Sequence, residues 1–196
     1  MRRIVLASTS AYRRDLLARL QLPFDCVAPD VDESPLVGES PALTALRLSQ
    51  AKAQQVARRH PDATVIGADQ VADLDGVALN KPGSHHAALD QLLRLQGREA
   101  VFHSGLALAA GGELLESCVI PTIARFRTLS RDRLEAYLRH DRPYDCAGSA
   151  KVESLGIVLL EWVRSDDPTA LIGLPLIRLT SMLAAAGIAL PIEDAR

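Results

Sequence analysis

The sequence predicts an α/β protein built on a mixed β-sheet, and three observations carry that prediction. Short apolar, β-branched runs alternate with helical stretches in the first third, the pattern of parallel strand–helix–strand units. In the middle, Asp75-Gly76 and Gly111-Gly112 each join two apolar runs, as antiparallel hairpins require. Helix signals with polar caps then return toward the C-terminus.

The elements follow in order. Ile4–Ala7 reads as a first buried strand and Ala11–Leu20 as the helix after it. Phe24–Ala28 is a second strand, ending in the acidic loop Pro29-Asp30-Val31-Asp32-Glu33-Ser34-Pro35. Ser40 caps a helix with Pro41 at its first position, running to the breaker His60-Pro61-Asp62. Thr64–Ala68 is a short strand with Asp69 at its end, and Val71–Leu74 and Val77–Leu79 form a hairpin over Asp75-Gly76. Lys81-Pro82-Gly83 breaks the chain before a helix capped by Ser84 and reaching Leu95. Ala100–Ala110 and Glu113–Leu129 are long strands. Ser130 caps a further helix, Gly156–Val163 is a last strand, and a closing helix follows Gly173-Leu174-Pro175 and ends at Gly187.

Composition narrows the class. At 196 residues one domain spanning 1–196 is favoured over two, on a scale of about 150 residues per domain. Hydrophobic content of 48% and charge of 23% suit a soluble globule, and 4% aromatics leave the core to Leu, Ile, Val and Ala. A net charge of −2 gives no global pull toward nucleic-acid polymers or anionic membranes, so an anionic ligand needs a local cluster of cations. Cys26, Cys118 and Cys146 are odd in number and widely spaced, as in reduced cytosolic proteins. The histidines have no zinc-ligand spacing. The apolar run after Arg2-Arg3 is too short for a signal peptide and no window is long enough to span a bilayer, so the expected location is cytoplasmic.

The turn after the first strand is the most informative segment. Ser8-Thr9-Ser10 leads into a helix whose first turn carries Arg13 and Arg14. A helix N-terminus favours anions by about 0.3–1 kcal/mol each, so two cations there make sense if an anion sits in the turn. The pattern reads as a phosphate site. Lys52, flanked by Ala51 and Ala53, and Lys81, held before a proline, are further cations at element ends or among small residues. Asp69, after Val65-Ile66-Gly67-Ala68, is the sharpest acid, because ligands gather at the carboxyl ends of strands in α/β sheets. Glu33 stands in the acidic loop. Asp166 and Asp167 form either a helix cap or a metal-associated pair.

Cations neutralise a polyphosphate, while one or two carboxylates suffice to hold Mg²⁺ or Mn²⁺ with phosphate oxygens and water. No Walker loop and no Gly-x-Gly-x-x-Gly occurs, which counts against P-loop NTPases and Rossmann dinucleotide binders.

Ordered blocks then resemble the Maf family of nucleotide pyrophosphatases across nearly the whole chain. They are Leu-Ala-Ser-Thr-Ser-Ala-Tyr-Arg-Arg-Asp-Leu-Leu (6–17), Val-Asp-Glu (31–33), Ala-Lys-Ala (51–53), Gly-Ala-Asp-Gln-Val (67–71), Asn-Lys-Pro (80–82), Cys-Ala-Gly-Ser-x-Lys-Val-Glu-Ser-x-Gly (146–156) and Asp-Pro-x-x-Leu-Ile-Gly-Leu-Pro-Leu (167–176). The resemblance implies an elongated mixed sheet flanked by helices, with two lobes around a central cleft, similar to inosine-triphosphate pyrophosphatases and often a homodimer. It implies hydrolysis of a nucleoside triphosphate to monophosphate and pyrophosphate with a divalent metal cation. It makes Asp69 the proton acceptor for the attacking water, with Lys52 and Lys81 as catalytic cations on the phosphates. Ser8, Arg13 and Arg14 become substrate-binding, and Glu33 with Asp69 becomes metal-linked.

Tyr12, Gln70 and Glu153 stand where the subgroups of that family differ. The branch acting on dTTP and UTP typically has Arg, Thr and Gln there; an aromatic, Gln and Glu resembles the 7-methyl-GTP branch. A carboxylate at 153 accepts both N–H donors of a guanine edge. A methylated, cationic guanine gains about 0.5–2 kcal/mol by stacking on Tyr12. Ala11 replaces the family's usual proline and Tyr12 the branch's usual tryptophan. The alternatives are a dTTP/UTP or broad pyrophosphatase, and a non-catalytic nucleotide-binding regulator of cell division.

Overall fold

Ile4, Val5, Leu6 and Ala7 are fully buried because β1 (Arg3–Ala7) is an inner strand. In the computed structural model, which describes residues 2–191, β1 pairs in parallel with β2 (Asp25–Cys26) on one side and with β3 (Ala63–Leu74) on the other. The sheet continues through β5 (Glu99–Ala110), β6 (Glu113–Phe126) and β7 (Leu160–Arg164), all antiparallel, giving the order β2-β1-β3-β5-β6-β7. The short β4 (Val77–Leu79) folds back on β3 through Asp75 and Gly76, both at positive φ as a primed turn demands.

Among the described residues five α-helices flank this sheet: α1 (Ala11–Ala18), α2 (Pro41–Arg59), α3 (His85–Leu95), α4 (Arg131–Asp141) and α5 (Leu176–Ala185). Ser10, Ser40, Ser84 and Ser130 each accept a backbone N–H from the first turn of α1 to α4, so the polar caps anticipated for α2, α3 and α4 are present. One buried cluster joins β1, α1 and α5 around Leu6, Leu17 and Leu179. Another joins α3, α4 and the far end of the sheet around Leu92, Phe102 and Leu138. A third joins α2 to the middle of the sheet around Val5, Val56 and Val65, so the mixed sheet runs through all three.

α2 lies unusually close to the sheet. A Cβ on Gly67 would stand 2.2 Å from the Ser49 carbonyl oxygen, and one on Gly105 2.2 Å from that of Ala45. The two glycines lie on neighbouring strands and admit the helix backbone. Ala45, Ser49, Lys52, Ala53 and Val56 form the buried stripe of α2 at helical spacing, and Lys52 is its one charged member.

Several sequence expectations need correction. β3 does not end at Ala68; it continues to Leu74 because β5 pairs with it from Thr64 through Asp73. Asp69 is therefore mid-strand, not at a carboxyl end. Yet β1 covers the other edge of β3 only to Gly67 and β4 only from Ala72 onward. Residues 68–71 thus face a gap in the sheet, opened where β1 stops and turns into α1. The carboxyl end that matters is that of β1.

Residues 155–159 coil as a 3-10 turn rather than extend, because the Ser154 and Gly156 N–H groups both return to the Lys151 carbonyl. β2 is shorter than Phe24–Ala28, since only Asp25 and Cys26 find register partners on β1. α1 stops at Ala18, ahead of Gln21 at positive φ, and β6 stops at Phe126. No helix among the described residues is long and apolar enough to cross a membrane.

Candidate active site

The gap in the sheet opens into a cavity of about 1020 Å³, lined from the turn after β1, from α2 and from residues 145–153. Of the positions singled out from the sequence, Ser8, Tyr12, Arg13, Glu33, Lys52, Asp69, Gln70, Lys81 and Glu153 all line it. Arg14 does not. It is exposed on α1, and its Nε lies 3.3 Å from the neighbouring Asp15 carboxylate.

At the gap, Asp69 shares a face of β3 with Gly67 and so meets α2, where Lys52 waits in the buried stripe. The Lys52 ammonium bridges two acids, 2.7 Å from Asp69 Oδ1 and 2.7 Å from Glu33 Oε1. Burial works against the charge on Glu33, but the Lys52 hydrogen bond and the charges of Lys52, Lys81 and Arg13 outweigh it and hold that carboxyl below its usual range. Asp69 Oδ2 and Glu33 Oε2 carry no hydrogen bond among the described residues. This is a donor set a small divalent cation accepts: one oxygen from each of two carboxylates, the rest from phosphate and water. No cluster of three or more His, Cys, Asp or Glu ligands occurs among the described residues.

The other wall is the turn after β1. Ser8 is buried and its hydroxyl accepts the Ser10 N–H at 3.1 Å. Arg13 folds inward and donates Nε–H to the Gly173 carbonyl at 3.0 Å. Its burial lowers the affinity of the guanidinium for its proton, while Asp69 and Glu33 act in the opposite sense. The cavity therefore has a charged floor of alternating sign.

Gln70 points to the opposite face from Asp69. Its Nε2 lies 2.9 Å from the Ala170 carbonyl, 2.9 Å from that of Leu171 and 3.1 Å from Ser104 Oγ, its cross-strand partner. The amide nitrogen is spent on holding the turn Ala170–Ile172, whose next residue, Gly173, holds Arg13. Asp167 settles the choice left open above. It is buried, with Oδ2 accepting the Ile177 and Arg178 N–H groups and Oδ1 the Thr169 N–H and hydroxyl, so it caps α5 across the loop. Asp166 is exposed beside it.

Away from the gap, Tyr12 faces Asp145 and Cys146 across the cavity, its hydroxyl 3.5 Å from Asp145 Oδ2 and 4.0 Å from Cys146 Sγ. Burial, then these two neighbours, pushes the phenol above its usual range, and burial with Asp145 pushes the Cys146 thiol up to about 12. Glu153 is raised by burial first, with Asp141 and Asp145 adding repulsion and Lys151 opposing. Asp145 and Lys151 line this end and were not singled out from the sequence. The signal for Lys151 was its place two residues before Glu153 in one block; nothing marked Asp145 out.

A family model described as "Maf-like protein" matches residues 3–186. The chain is 58% identical over 186 residues to a 7-methyl-GTP pyrophosphatase of Cupriavidus metallidurans, covering 94% of this chain and 93% of that protein. It is 56% identical over 186 residues to one of Bordetella pertussis, covering 95% and 93%. A solved nucleoside-triphosphatase (dITP/XTP pyrophosphatase) of Mycobacterium abscessus is similar at 18% identity and a TM-score of 0.41, over 71% of this chain and 94% of that one.

Proposed function

The chain belongs to the Maf-like protein family, and we propose that it hydrolyses the α–β phosphoanhydride of nucleoside triphosphates, with 7-methyl-GTP preferred. The observation that carries this reading is one cavity with two chemically different ends. At one end Lys52, Arg13, Lys81 and the Ser8 turn surround two carboxylates; at the other an aromatic ring stands with acids. A polyphosphate fits the first and a nucleobase the second. The names of the relatives supply the base preference.

In this reading the triphosphate lies along the turn after β1. The Ser8 hydroxyl and the α1 N-terminus bind phosphate oxygens, and Arg13 and Lys81 offset their charge. Water attacks the α-phosphorus, its oxygen bonding there as the bond to the bridging oxygen breaks. Asp69 takes the proton the water loses, and pyrophosphate leaves with the electron pair of the broken bond. Lys52, hydrogen-bonded to Oδ1, holds Asp69 with its other oxygen turned toward the water. A divalent cation, held by Glu33 and Asp69 when bound, would supply charge neutralisation and polarise a phosphoryl oxygen. At the far end Tyr12 stacks the base and Glu153 accepts its N–H donors.

The test is pyrophosphate release by the purified protein over 7-methyl-GTP, GTP, UTP and dTTP, each with Mg²⁺, Mn²⁺ or chelator. The expected result is metal-dependent release, fastest with 7-methyl-GTP. Faster turnover of UTP and dTTP overturns the base assignment. Nucleotide binding without release under any condition overturns the enzyme.

A further inference from the structure

Lys151 is held in place more completely than a solvent-facing lysine needs. Its N–H donates to the hydroxyl of buried Tyr137 at 2.9 Å. Its carbonyl accepts the Ser154 and Gly156 N–H groups at 3.1 and 3.0 Å. A Cβ on Gly156 would stand 2.4 Å from that carbonyl oxygen, so only glycine closes the turn this tightly. Asp141 fastens the far side, accepting from Ser154 Oγ and the Gly156 N–H. A turn pinned at these points presents Lys151 and Glu153 to the same cavity in a set relation.

The side chain turns inward as well. Nζ lies 5.5 Å from the centroid of the Tyr12 ring, within cation–π reach, and makes no ion pair among the described residues. A lysine serving only solubility would carry its ammonium out to water. This one rests on the aromatic ring at the base end of the cavity, next in sequence to the phosphate-binding Arg13.

The chemistry of the purine edge gives the ammonium a use. Guanine presents, in order, the O6 acceptor, the N1–H donor and the 2-amino donor. A carboxylate satisfies the two donors and leaves O6 without a partner. An ammonium only donates. Lys151 and Glu153 together match that edge, whereas adenine sets its 6-amino donor against the ammonium, and uracil or thymine sets a carbonyl against Glu153.

We propose that Lys151 is a specificity-determining residue that donates to O6 of a guanine-type base while Glu153 accepts from N1–H and the 2-amino group. The proposal rests on the guanine-nucleotide reading of the cavity given above. A base entering over Tyr12 takes the place the ammonium holds on the ring, and the ammonium moves to the edge of that base. Asp145 and Glu153, both lining this end, keep the surroundings favourable for a base that is itself cationic.

The experiment compares kcat/KM for 7-methyl-GTP, GTP, 6-thio-GTP, ITP and UTP in the wild type, Lys151→Met and Lys151→Arg. 6-Thio-GTP keeps N1–H and the 2-amino group but offers sulfur, a poor acceptor, in place of O6; ITP keeps O6 and lacks the 2-amino group. Loss of a hydrogen bond from a charged donor is expected to lower GTP turnover by Lys151→Met about 10- to 100-fold. The wild-type preference for GTP over 6-thio-GTP should then collapse toward one, while the GTP-to-ITP preference set by Glu153 survives and Lys151→Arg keeps most of both. Each ratio is taken within one preparation, so a misfolded fraction cancels. An equal fall for GTP and 6-thio-GTP, or no fall, overturns the role of Lys151 and leaves the guanine reading standing. A wild type that turns over UTP faster than GTP and 7-methyl-GTP overturns the guanine reading and this proposal with it.

Discussion

Lys52 Nζ and Asp69 Oδ1 stand 2.7 Å apart, with side chains only 7% and 10% exposed, so the protein itself fixes the central ion pair of the cleft. The pair exists because glycines at 67 and 105 let α2 settle against the sheet. Asp69→Asn keeps the shape and removes the base. It should lower kcat about 10²–10⁴-fold while the far-ultraviolet circular dichroism stays unchanged. Unaltered turnover would remove Asp69 from the role of proton acceptor.

Lys52→Met acts differently, because it leaves Asp69 without its partner and beside Glu33. Stripping a buried carboxylate of its hydrogen-bonding cation should cost about 1–3 kcal/mol. For a chain of this size that is a fall in Tm of about 2–12 °C, read by differential scanning calorimetry. Lys52→Arg should recover part of the stability, and turnover should follow only if the guanidinium fits between the two acids.

Gln70 is expected to act through the turn it holds. Gln70→Ala frees the Ala170 and Leu171 carbonyls, and with them the placement of Gly173 and the Arg13 side chain it fixes. KM should rise for every nucleoside triphosphate, and the inhibition constant of inorganic tripolyphosphate should rise by a similar factor, with kcat changing less. A loss confined to purine nucleotides would show instead that Gln70 reads the base.

How much of this was legible in the sequence depended on whether the signal was local. Ser40-Pro41, Ser84, Ser130 and Asp75-Gly76 announce their helices and hairpin through capping and turn chemistry, and those elements are found where the sequence puts them. The length of β3 was hidden because polar Asp69-Gln70 interrupts an apolar run, and only the pairing with β5 carries the strand through. Residues 156–159 read as the start of a strand from their apolar side chains, but the Lys151 carbonyl draws Ser154 and Gly156 back into a coil. Lys52 could be found as a lone cation in an apolar stripe. Gln70 could not be understood that way, since its partners lie 34 to 101 residues along the chain.

Glu153 gives a pH dependence with a definite sign. Burial, with Asp141 and Asp145, raises its folded-state pKa, opposed by Lys151. A carboxyl raised in this way destabilises the fold at pH values above its folded pKa, and the penalty disappears as pH falls below the unfolded value of about 4.3. Glu153→Gln should therefore raise Tm at pH 7 and leave it unchanged near pH 3.5. Because the residue is exposed to the cleft, the gain is small, about 1 °C. The same substitution should reduce the preference for GTP over ITP, so that stability and base selection move in opposite directions.

Asp167 separates structure from catalysis in the last loop. Its two oxygens satisfy the N–H groups of Thr169, Ile177 and Arg178 and the Thr169 hydroxyl. The Ile177 and Arg178 N–H groups would otherwise be stranded at the start of α5, where Pro175 offers no side-chain cap. Asp167→Ala should cost about 2–3 kcal/mol, more than an exposed cap because the position is buried. The loop it ties also carries Gly173, so KM for nucleotide should rise in step with the loss of order. The metal concentration giving half-maximal activity should not move, since Asp167 spends both oxygens on the backbone and the Thr169 hydroxyl. A shift in metal dependence, measured by Mn²⁺ or Mg²⁺ titration at saturating nucleotide, would instead place Asp167 among the metal ligands and require the α5 cap to be remade when the ion binds.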